Sequence, residues 1–271
     1  IRGGEANHTL VLIDGIQANS GSDGEFDFSD LQTEDIERIE VIRGPQSALY
    51  GSNAVGGVVN VVTRGGKGPF TVTGRAEYGG FGTKDVAARV SGGNDRAWGA
   101  VTVHRQMASG FNVSPAGEFD EKDGSRIGTL SGKAGFKLAD DVALGFNVRN
   151  TAKRLDRDDQ TGLASRNGLI VASDSQSRSD SSVLLMGADL RWDMLDGALT
   201  HLFKASRNLT ERGDLSLANY GFGVSPSNFV NTSEAEAFSY QATWRFATPM
   251  LAAAKHSLTG LVERENESFT P

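Results

Sequence analysis

Three aspartates in one short polar stretch are the residues whose types and spacing best suit metal chemistry. The stretch "RLDRDDQTG" (154–162) contains Asp156, Asp158 and Asp159. Closely spaced carboxylates on a flexible loop suit Ca²⁺, which takes about six to eight hard oxygen ligands. The stretch is not an EF-hand, because the twelfth position of a loop starting at Asp156 is Asn167 rather than glutamate. Two interpretations stay open: a calcium-binding loop and a charged, solvated loop without metal.

No combination of residues in the sequence predicts catalysis. The four histidines lie on separate segments and form no H-E-x-x-H or similar metal pair; they are His8, His104, His201 and His256. No G-x-S-x-G nucleophile motif is present. The absence of cysteine excludes disulfides and thiolate metal sites. We predict a protein that is not an enzyme and requires no cofactor, with calcium in a loop as the one ion to consider.

Charge and composition narrow the class of partner and of fold. The formal net charge is −7, and the 27 Lys and Arg residues are scattered rather than clustered. Nucleic acid is therefore not an expected partner. The 34 glycines and 6 prolines favour a sheet-rich protein with many turns. The sequence contains no stretch of about 18 apolar residues, so it predicts no membrane-spanning helix.

The elements that would position these residues change character near residue 66. Before it the hydrophobic runs are continuous, at "TLVLIDG" (9–15), "IERIEVIRG" (36–44) and "VVNVVT" (58–63). Short, unbroken β-branched runs between glycine turns are typical of strands buried on both faces. Acidic residues follow Ser29 and Thr33, each a candidate N-cap, so a short helix is expected within 29–39. Residues 1–66 are predicted to form a small mixed α/β domain.

From residue 67 onward, apolar and polar residues alternate strictly. In "DVALGFNVRN" (141–150), Val142, Leu144, Phe146 and Val148 share one face, and polar or small residues share the other. Roughly nine such segments of about ten residues follow one another, which is the length that a tilted strand needs to cross a bilayer. Residues 67–271 are therefore predicted to be antiparallel transmembrane strands.

The links between these strands alternate in length. The short links are residues 92–95, 139–141, 194–197 and 248–253. Apart from a first short one, the intervening links are long and polar, at residues 107–125, 155–181 and 209–233. Outer-membrane barrels have short periplasmic turns and long extracellular loops. A soluble β-sandwich also alternates, but it does not account for this asymmetry.

The three tryptophans agree with a membrane barrel. Trp98, Trp192 and Trp244 each lie within about four residues of a short link, where an aromatic girdle would meet the periplasmic interface. Ordinary core tryptophans are the alternative interpretation.

The longest motif is specific enough to indicate a family. It reads "IERIEVIRGPQSALYGSNAVGGVVNVVTR" (36–64), and it is preceded by "IRG" (1–3) and "LVLIDG" (10–15). With the alternating strands, these segments resemble the plug and early barrel of TonB-dependent outer-membrane receptors, and within that family the vitamin B12 (cobalamin) receptor branch most. The resemblance implies a transmembrane β-barrel with a small mixed α/β plug domain at the N-terminus. Because barrels of this family have about 22 strands, a chain with roughly nine is expected to be a fragment. Residues 1–66 would be the C-terminal part of the plug, and residues 67–271 the N-terminal strands of the barrel.

The resemblance implies import of a scarce, large ligand, namely cobalamin, a ferric siderophore or haem, by energy-coupled rearrangement of the plug. It also implies a location in the bacterial outer membrane, contact with membrane lipid, and a TonB-type energy-transducing partner at the periplasmic face. Two other functions stay open at this point. One is a passive outer-membrane channel, and the other is a soluble β-rich carbohydrate-binding protein.

The resemblance further implies ligand contacts from two apical plug loops, which form the floor of the binding site in the family. The residues expected there are Gln17, Asn19, Ser20, Tyr50, Ser52 and Asn53. The alternative is that these loops are only solvated.

Charged residues at the rim of the plug are expected to pair with the barrel wall. Glu40 and Arg43 are the plug candidates. The candidate wall partners are the charged residues expected on the lumen-facing side of the strands: Arg75, Glu77, Arg89, Asp189, Arg191 and Arg245. Simple surface solvation is the alternative. The cobalamin receptors carry calcium in loops comparable with the stretch around Asp156, which agrees with the calcium interpretation given above.

Overall fold

The computed structural model of this 271-residue chain contains two separate β-sheets. It describes residues 5–19, 23–45, 54–112, 122–166, 169–216, 227–248 and 254–271; the side chains of residues 159–176, 248 and 254 lie outside this description. The first sheet has four strands and the second has nine. We call them the small sheet and the wall.

The small sheet has the strand order β2-β1-β4-β3. Its strands are β1 (Thr9–Ile13), β2 (Ile16–Gln17), β3 (Ile36–Arg43) and β4 (Gly57–Thr63). β1 and β4 run parallel, whereas β2 and β3 are antiparallel to their neighbours. Val11, Ile13, Val58 and Val61 are almost fully buried. Two of the three continuous hydrophobic runs are therefore the central strands that their composition predicts.

The third run, β3, is not buried on both faces. It lies at the edge of the small sheet, and Ile39 and Val41 are at least half exposed, at 50% and 53%. The prediction of a fully buried strand is wrong here, because within the described residues no element covers β3 as the wall covers β1 and β4.

The helix expected within residues 29–39 is replaced by other elements. A 3₁₀ turn occupies Phe28–Asp30, and β3 begins at Ile36. The side chain of Asp27 caps the turn by accepting from the Ser29 backbone N–H, so Ser29 lies inside the turn. The apolar residues that follow pair with β4 instead of forming a helical face, and tertiary pairing overrides a weak helical preference. The helices of the described residues are 3₁₀ turns, and none is long and apolar enough to cross a membrane.

The wall is an antiparallel sheet in which each strand pairs with its neighbours in sequence. Its strands are β5 (Gly68–Tyr78), β6 (Lys84–Gly93), β7 (Ala97–Ala108), β8 (Ser125–Lys137), β9 (Val142–Arg166), β10 (Leu169–Met194), β11 (Leu199–Ser216), β12 (Ser227–Thr248) and β13 (Ala254–Thr270). The predicted number of strands is confirmed. β5 and β13 are the two edges of an open sheet in the described part of the chain.

The links at one rim are short, as predicted, but two of the long links are shorter than expected. β6–β7, β8–β9 and β10–β11 are joined by residues 94–96, 138–141 and 195–198. The links expected at 155–181 and 209–233 are mostly strand, because β9 continues to Arg166 and β11 continues to Ser216. A polar sequence can extend a strand wherever a neighbouring strand accepts its backbone hydrogen bonds. The aspartate-rich stretch therefore lies in β9 rather than in a flexible loop.

The two faces of the wall are inverted relative to a water-soluble sheet. Large apolar side chains point away from the small sheet, and Phe146, Phe203 and Tyr240 are each exposed by 36% or more. Polar side chains such as Thr102 and Thr129 are buried on the opposite, inner face. Because side chains alternate along each strand, the sequence pattern predicted this arrangement, and the structure confirms it.

Trp192 and Trp244 agree with the predicted girdle, but Trp98 does not. The first two are 39% and 49% exposed near the rim with short links. Trp98 points to the inner face, where its ring lies over Gly135, its cross-strand partner, and close to Gly65. Distance from a turn does not determine the face of a side chain; strand parity does, and Trp98 shares the parity of buried Ala100.

Candidate functional site: the interface between the small sheet and the wall

The small sheet and its connections contact the inner face of the wall through ion pairs. In the described part of the chain, the N-terminal part supplies the carboxylate of each pair and the wall supplies the cation. The pairs are Asp14–Lys133, Asp23–Arg212, Asp27–Lys153, Asp30–Lys153, Glu34–Arg75 and Asp35–Arg149. Complementary charge of this kind fixes the orientation of two surfaces more than it adds affinity.

The most buried of these pairs joins Asp35 to Arg149. The Arg149 Nη1 atom lies 2.5 Å from Asp35 Oδ2, and the two side chains are only 7% and 4% exposed. Arg149 Nη2 also donates to the backbone carbonyl of Gln32 at 3.5 Å. Removing one partner of a buried pair costs about 3–5 kcal/mol, because the remaining charge is left without compensation. Among the ion pairs named above, this is therefore the one in which loss of a single partner leaves the most deeply buried charge.

The turn between β1 and β2 forms the second contact. Asp14 and Gly15 have φ angles of 51° and 82°, a backbone conformation that aspartate tolerates and glycine adopts freely. The Asp14 carboxylate accepts from the Thr63 backbone N–H at 3.0 Å and from Lys133 Nζ at 2.6 Å. Lys133 also donates to the Thr63 carbonyl at 3.1 Å. One wall lysine thus holds both the turn and the end of β4.

A single lysine of β9 binds the 3₁₀ turn of the N-terminal part. Lys153 Nζ lies 2.6 Å from Asp27, 2.9 Å from Asp30 and 2.7 Å from the Ser29 hydroxyl. Burial on its own would raise the pKa of Asp27, but the hydrogen bonds from Lys153 and Ser29 outweigh it and lower this pKa from 3.8 to about 2. Burial raises the pKa of Asp30 above 3.8 in spite of Lys153. Asp27 is therefore the carboxylate that stays ionised to low pH.

A chain of ionisable side chains extends from the N-terminal part across three wall strands. Arg75 lies 2.7 Å from Glu34 and 3.0 Å from Asp85. Asp85 in turn contacts His104 Nε2 with both carboxylate oxygens at 3.0 Å. Asp85 and His104 are buried. The chain connects β5, β6 and β7 to the N-terminal part through one guanidinium.

One apolar side chain of the wall completes the core of the small sheet. Leu185 is 2% exposed and packs against Val11, Ile13, Ile16 and Val61. Beside this contact lies a cavity of about 20 Å³ lined by charged groups of both sheets, which is room for about one water molecule. The interface is thus mainly polar, with a small apolar centre.

An open cavity of about 500 Å³ lies at the rim of the wall opposite the short links, where residues 23–30 meet the ends of β10 and β11. We call it the rim cavity. Phe26 and Phe28 line it, with ring centroids 5.1 Å apart and nearly perpendicular, and Phe28 is 53% exposed. Asp23, Lys153 and Arg212 add charge to the same cavity. An aromatic surface with a few charged groups is typical of a small-molecule site, and the volume falls within the usual range of about 300–1,000 Å³.

Comparison with known proteins places this arrangement in a family. Residues 1–58 match a family model described as the TonB-dependent receptor plug domain. The vitamin B12 transporter BtuB of Photobacterium profundum is 30% identical over 201 residues, which are 74% of this chain and 32% of that protein. The vitamin B12 transporter BtuB of Vibrio vulnificus is 31% identical over 148 residues, 54% of this chain and 24% of that protein.

The chain belongs to the TonB-dependent receptors.

Solved structures of such receptors share the fold. The siderophore receptor PirA from Acinetobacter baumannii superposes with a TM-score of 0.75 at 20% identity, covering 99% of this chain and 41% of that one. The ferripyoverdine receptor of the outer membrane of Pseudomonas aeruginosa gives 0.76 at 14% identity, covering 99% and 37%. At these identities the likeness shows the fold alone. The chain spans about a quarter to a third of the length of the two curated relatives, and these relatives are transporters rather than enzymes. We call the small sheet and its connections the plug from here on. The domain boundary between residues 66 and 67 falls in the link between β4 and β5 and stays a prediction.

Two of the six predicted ligand contacts lie in the described part of this TonB-dependent receptor. The buried Asn19 amide accepts from the Val11 N–H at 2.7 Å and donates to the carbonyls of Thr9 and Gly24 at 3.0 and 2.8 Å. The Gln17 carbonyl accepts from Asn208 of the wall at 3.0 Å. The side chain of Asn19 thus takes part in the plug's own hydrogen bonding. The other four residues, Ser20, Tyr50, Ser52 and Asn53, lie outside the described residues. Ligand contact by any of the six stays a prediction.

Glu40 and Arg43 do not pair with the wall within the described residues. Glu40 accepts from Arg38 at 2.7 Å and from Asn60 at 2.8 Å, both in the plug, and the hydrogen bond from Arg38 lowers its pKa. Arg43 is exposed at the end of β3. The expected ion pairs exist, but they come from the face of the plug formed by β1, β4 and their connections, since β3 lies at the far edge of its sheet.

Asp156 and Asp158, two of the three aspartates proposed for calcium, share one face of β9 by strand parity. The side chain of Asp159 is outside the description, and the described residues contain no group of three or more metal-ligating side chains. Calcium binding at these positions stays a prediction.

Sequence reasoning missed the plug carboxylates, and one signal pointed to their partners. Lys133, Arg149 and Lys153 occupy inward positions of alternating strands, where a charge needs a partner. Their partners could not be identified because 114 to 126 residues separate the two members of these pairs. Of the six suggested wall residues, Arg75 pairs with the plug and Arg89 donates to the Gly65 carbonyl at 2.7 Å. Within the described residues the other four have no ion pair with the plug, and Glu77, Arg191 and Arg245 contact residues of the wall itself.

Proposed function

We propose that the protein carrying this chain imports a scarce, large ligand across the outer membrane, with a TonB-type protein supplying the energy. Cobalamin is the first ligand of this proposal, because the curated relatives described above are vitamin B12 transporters. Ferric siderophores come second, since the similar solved structures are siderophore receptors and their identity is low. The observation that carries the proposal is the polar interface, in which a plug meets the inner face of an outwardly apolar wall through ion pairs.

A polar interface suits a plug that must hold its position and yet move. Separating apolar surfaces costs about 25 cal/mol for each Å² exposed to water. Exposed ion pairs contribute only about 0–1 kcal/mol, because water replaces the lost partner. The Asp23–Arg212 pair is of this kind, with side chains 42% and 31% exposed. In the proposal, force applied to the plug breaks such pairs first and the buried Asp35–Arg149 pair last.

The rim cavity is the ligand site of this proposal. Phe28 offers an aromatic surface, and the predicted contacts on the apical loops would complete the floor. Asp27 and Asp30 belong to both the cavity and the contact with Lys153. A ligand that engages Asp27 therefore competes with Lys153, which gives ligand binding a route to weaken a contact between the plug and the wall.

Uptake experiments separate this function from its two alternatives. Cells expressing the full protein in a strain without its own cobalamin receptor should accumulate radiolabelled cyanocobalamin, and a protonophore should abolish the accumulation. Undiminished uptake with the proton gradient collapsed would instead identify a passive channel. Recovery of the protein from cells without detergent would identify a soluble β-rich protein.

A reversible tether tests whether the plug must move. The chain has no natural cysteine, so Asp35→Cys with Arg149→Cys can be joined by a bismaleimide that contains a cleavable disulfide. We expect uptake to stop while ligand binding persists, and to return when a reductant cleaves the tether. The control tethers the wall to itself through Thr129→Cys and Thr151→Cys, which are directly opposite on β8 and β9. Equal uptake by both tethered proteins would show that plug movement is not required.

A further inference from the structure

The outward face of the wall carries arginines next to its exposed apolar residues, on the side away from the short links. They lie on four consecutive strands, at Arg105 of β7, Arg126 of β8, Arg154 of β9 and Arg178 of β10. Each has the strand parity of an outward apolar residue; for example, Arg126 has the parity of Leu130, which is 50% exposed. Charges at these positions face the surroundings of the protein rather than the plug.

The register brings like charges together. Arg126 and Arg154 are directly opposite each other on β8 and β9. Arg105 lies opposite Gly128, which is two residues from Arg126 on the same face. Directly opposed side chains have Cβ atoms only about 4.5–5.5 Å apart, and like charges there are destabilising. An anion between these guanidinium groups would remove that repulsion.

The nearby carboxylates do not neutralise the whole group. Asp180 accepts from Arg154 Nε at 2.6 Å and lies 3.0 Å from Arg178 Nε, and Asp156 is opposite Arg178 in the register. These two carboxylates lie on β9 and β10, and a third, Glu211, lines the groove from β11 opposite Ser182. Within the described residues, Arg105 and Arg126 have no ion pair, so the excess positive charge is concentrated on β7 and β8.

An open groove of about 710 Å³ runs beneath these side chains. Its floor is a row of small residues paired across β8, β9 and β10, namely Gly128, Ala152 and Ser182. The next row toward the short links is mainly apolar and consists of Val103, Leu130, Asn150 and Leu184. The groove therefore passes from an apolar surface to a cationic one over a single row of residues, a shape that accommodates an acyl chain with an anionic head group.

The position of the arginines along the strands corresponds to the edge of a bilayer. On β9, twelve residues separate Val142, opposite Trp192 near the short links, from Arg154. Twelve residues extend about 40 Å along a strand, or about 30 Å along the membrane normal at a tilt of about 40°. The hydrocarbon core of a bilayer is also about 30 Å thick. With Trp192 at one interface, Arg154 lies at the head-group level of the opposite leaflet, on the side of the long links.

We propose that this surface, the arginine groove (Arg105, Arg126, Arg154 and Arg178), binds the phosphate group of an anionic lipid in the leaflet at the long-link rim. Guanidinium groups bind phosphate oxygens in a bidentate manner and remain charged at every physiological pH. Residues of the groove floor leave room for the first part of an acyl chain. The inference rests on the proposed function, because it requires the wall to span the outer membrane.

Lipid binding by the full protein, purified in detergent, tests the arginine groove. The probes are diphosphoryl lipid A, monophosphoryl lipid A and inorganic phosphate, and native mass spectrometry measures the affinity of each. We expect diphosphoryl lipid A to bind most tightly, and the Arg105→Gln/Arg126→Gln double variant to bind it about 30-fold more weakly, since each arginine near an anionic lipid contributes an effect of about fivefold. Arg96→Gln removes an exposed arginine from a short link at the opposite rim and should leave the affinity unchanged.

Three results would overturn the inference: equal lipid affinity in the double variant and the parent protein, equal affinity for the two forms of lipid A, or full competition by inorganic phosphate at the lipid's concentration. The last result would indicate a site for free anions. An unchanged circular dichroism spectrum and yield of the double variant exclude misfolding as a cause of weaker binding. Failure of the proposed function is distinguishable, because it would appear as recovery of the parent protein without detergent, whereas failure of this inference leaves the detergent requirement intact.

Discussion

The plug and the wall bury opposite kinds of side chain. In the plug, β1 and β4 place Val11, Val58 and Val61 in a dry core. In the wall, Phe146 and Phe238 point outward, while Thr102 and Arg149 are buried against the plug or its surroundings. Both regions are β-sheets built from similar residues, so the difference lies in what surrounds each face. A strand buries whichever side chains its neighbours cover, and here the wall's neighbours are the polar surface of the plug on one side and the proposed lipid on the other.

The plug and the wall meet at two wall residues that do not follow the burial pattern of the wall. Arg149 is a buried charge in a sheet, and Leu185 is an apolar side chain on the polar face of the wall. Both exceptions contact the plug. Variants at these two positions test whether the plug depends on the inner face of the wall. The controls are residues of the same strands whose side chains point to the outward face.

The largest expected effect follows from removing the buried cation. Arg149→Met leaves Asp35 charged and without a partner, so we expect the free energy of plug opening to fall by about 3–5 kcal/mol. Amide hydrogen exchange of the plug in detergent micelles measures this free energy. Adding Asp35→Asn removes the isolated charge and should recover most of the loss.

Arg154→Met is the control for this prediction. Arg154 lies on the same strand but faces outward, with an exposed partner, Asp180, and exposed pairs are worth about 0–1 kcal/mol. Equal effects of Arg149→Met and Arg154→Met would contradict the idea that the plug depends on the inner face.

The next effect comes from the apolar contact. Leu185→Ala removes a buried side chain from the plug core, and we expect a loss of about 2–5 kcal/mol in the free energy of plug opening. Leu184→Ala is the matched control, because the adjacent residue points to the outward face. The hydrogen-exchange measurement should detect a much smaller change in plug opening for Leu184→Ala; a comparable change in both variants would disprove the assignment of the two faces.

A smaller effect on the stability of the wall is expected at Gly135, over which the ring of Trp98 lies. A Cβ atom at Gly135 would lie 2.4 Å from the Trp98 ring, whereas at Gly128 its nearest neighbour would be 4.0 Å away. Gly135→Ala should therefore destabilise the wall by about 1–3 kcal/mol through overpacking, and Gly128→Ala should not. Thermal unfolding in detergent, followed by tryptophan fluorescence, measures both; tolerance of Gly135→Ala would show that Trp98 can leave the inner face.

The smallest effect concerns the pH dependence of the contact between the plug and the wall. Because the folded pKa of Asp27 is lowered to about 2, its stabilising contribution is fully present above pH 3.8 and is lost as the pH falls from 3.8 through 2. Carboxyl carbon NMR should show Asp27 titrating near 2. Lys153→Met should move that midpoint upward, and an unchanged midpoint would exclude Lys153 as the cause.

Much of the wall was predictable from the sequence, and much of the interface was not. Strict alternation identified the outward face of Leu144, Phe146 and Tyr240, because the period of a strand leaves only two faces to choose from. The helix expected within residues 29–39 was wrong, since the chain from Ile36 onward pairs with β4. The loop expected at Asp156 was wrong as well, since β9 pairs with β10 at that residue. The plug carboxylates were not recognised for the same reason: a lone aspartate has no local signal that identifies a lysine more than a hundred residues away.

The sequence by itself determined the strand number, the inverted faces of the wall and, through the long glycine motif and its flanking segments, membership of the TonB-dependent receptors. These features are local, because they depend on alternation, turn residues and order along the chain. Only the tertiary structure decided which acids of the plug meet which bases of the wall, that Trp98 points inward, and that four arginines from separate strands share one outward groove. Those features depend on register and on the packing of two sheets, and the free energy that fixes them comes from contacts between residues far apart in the chain.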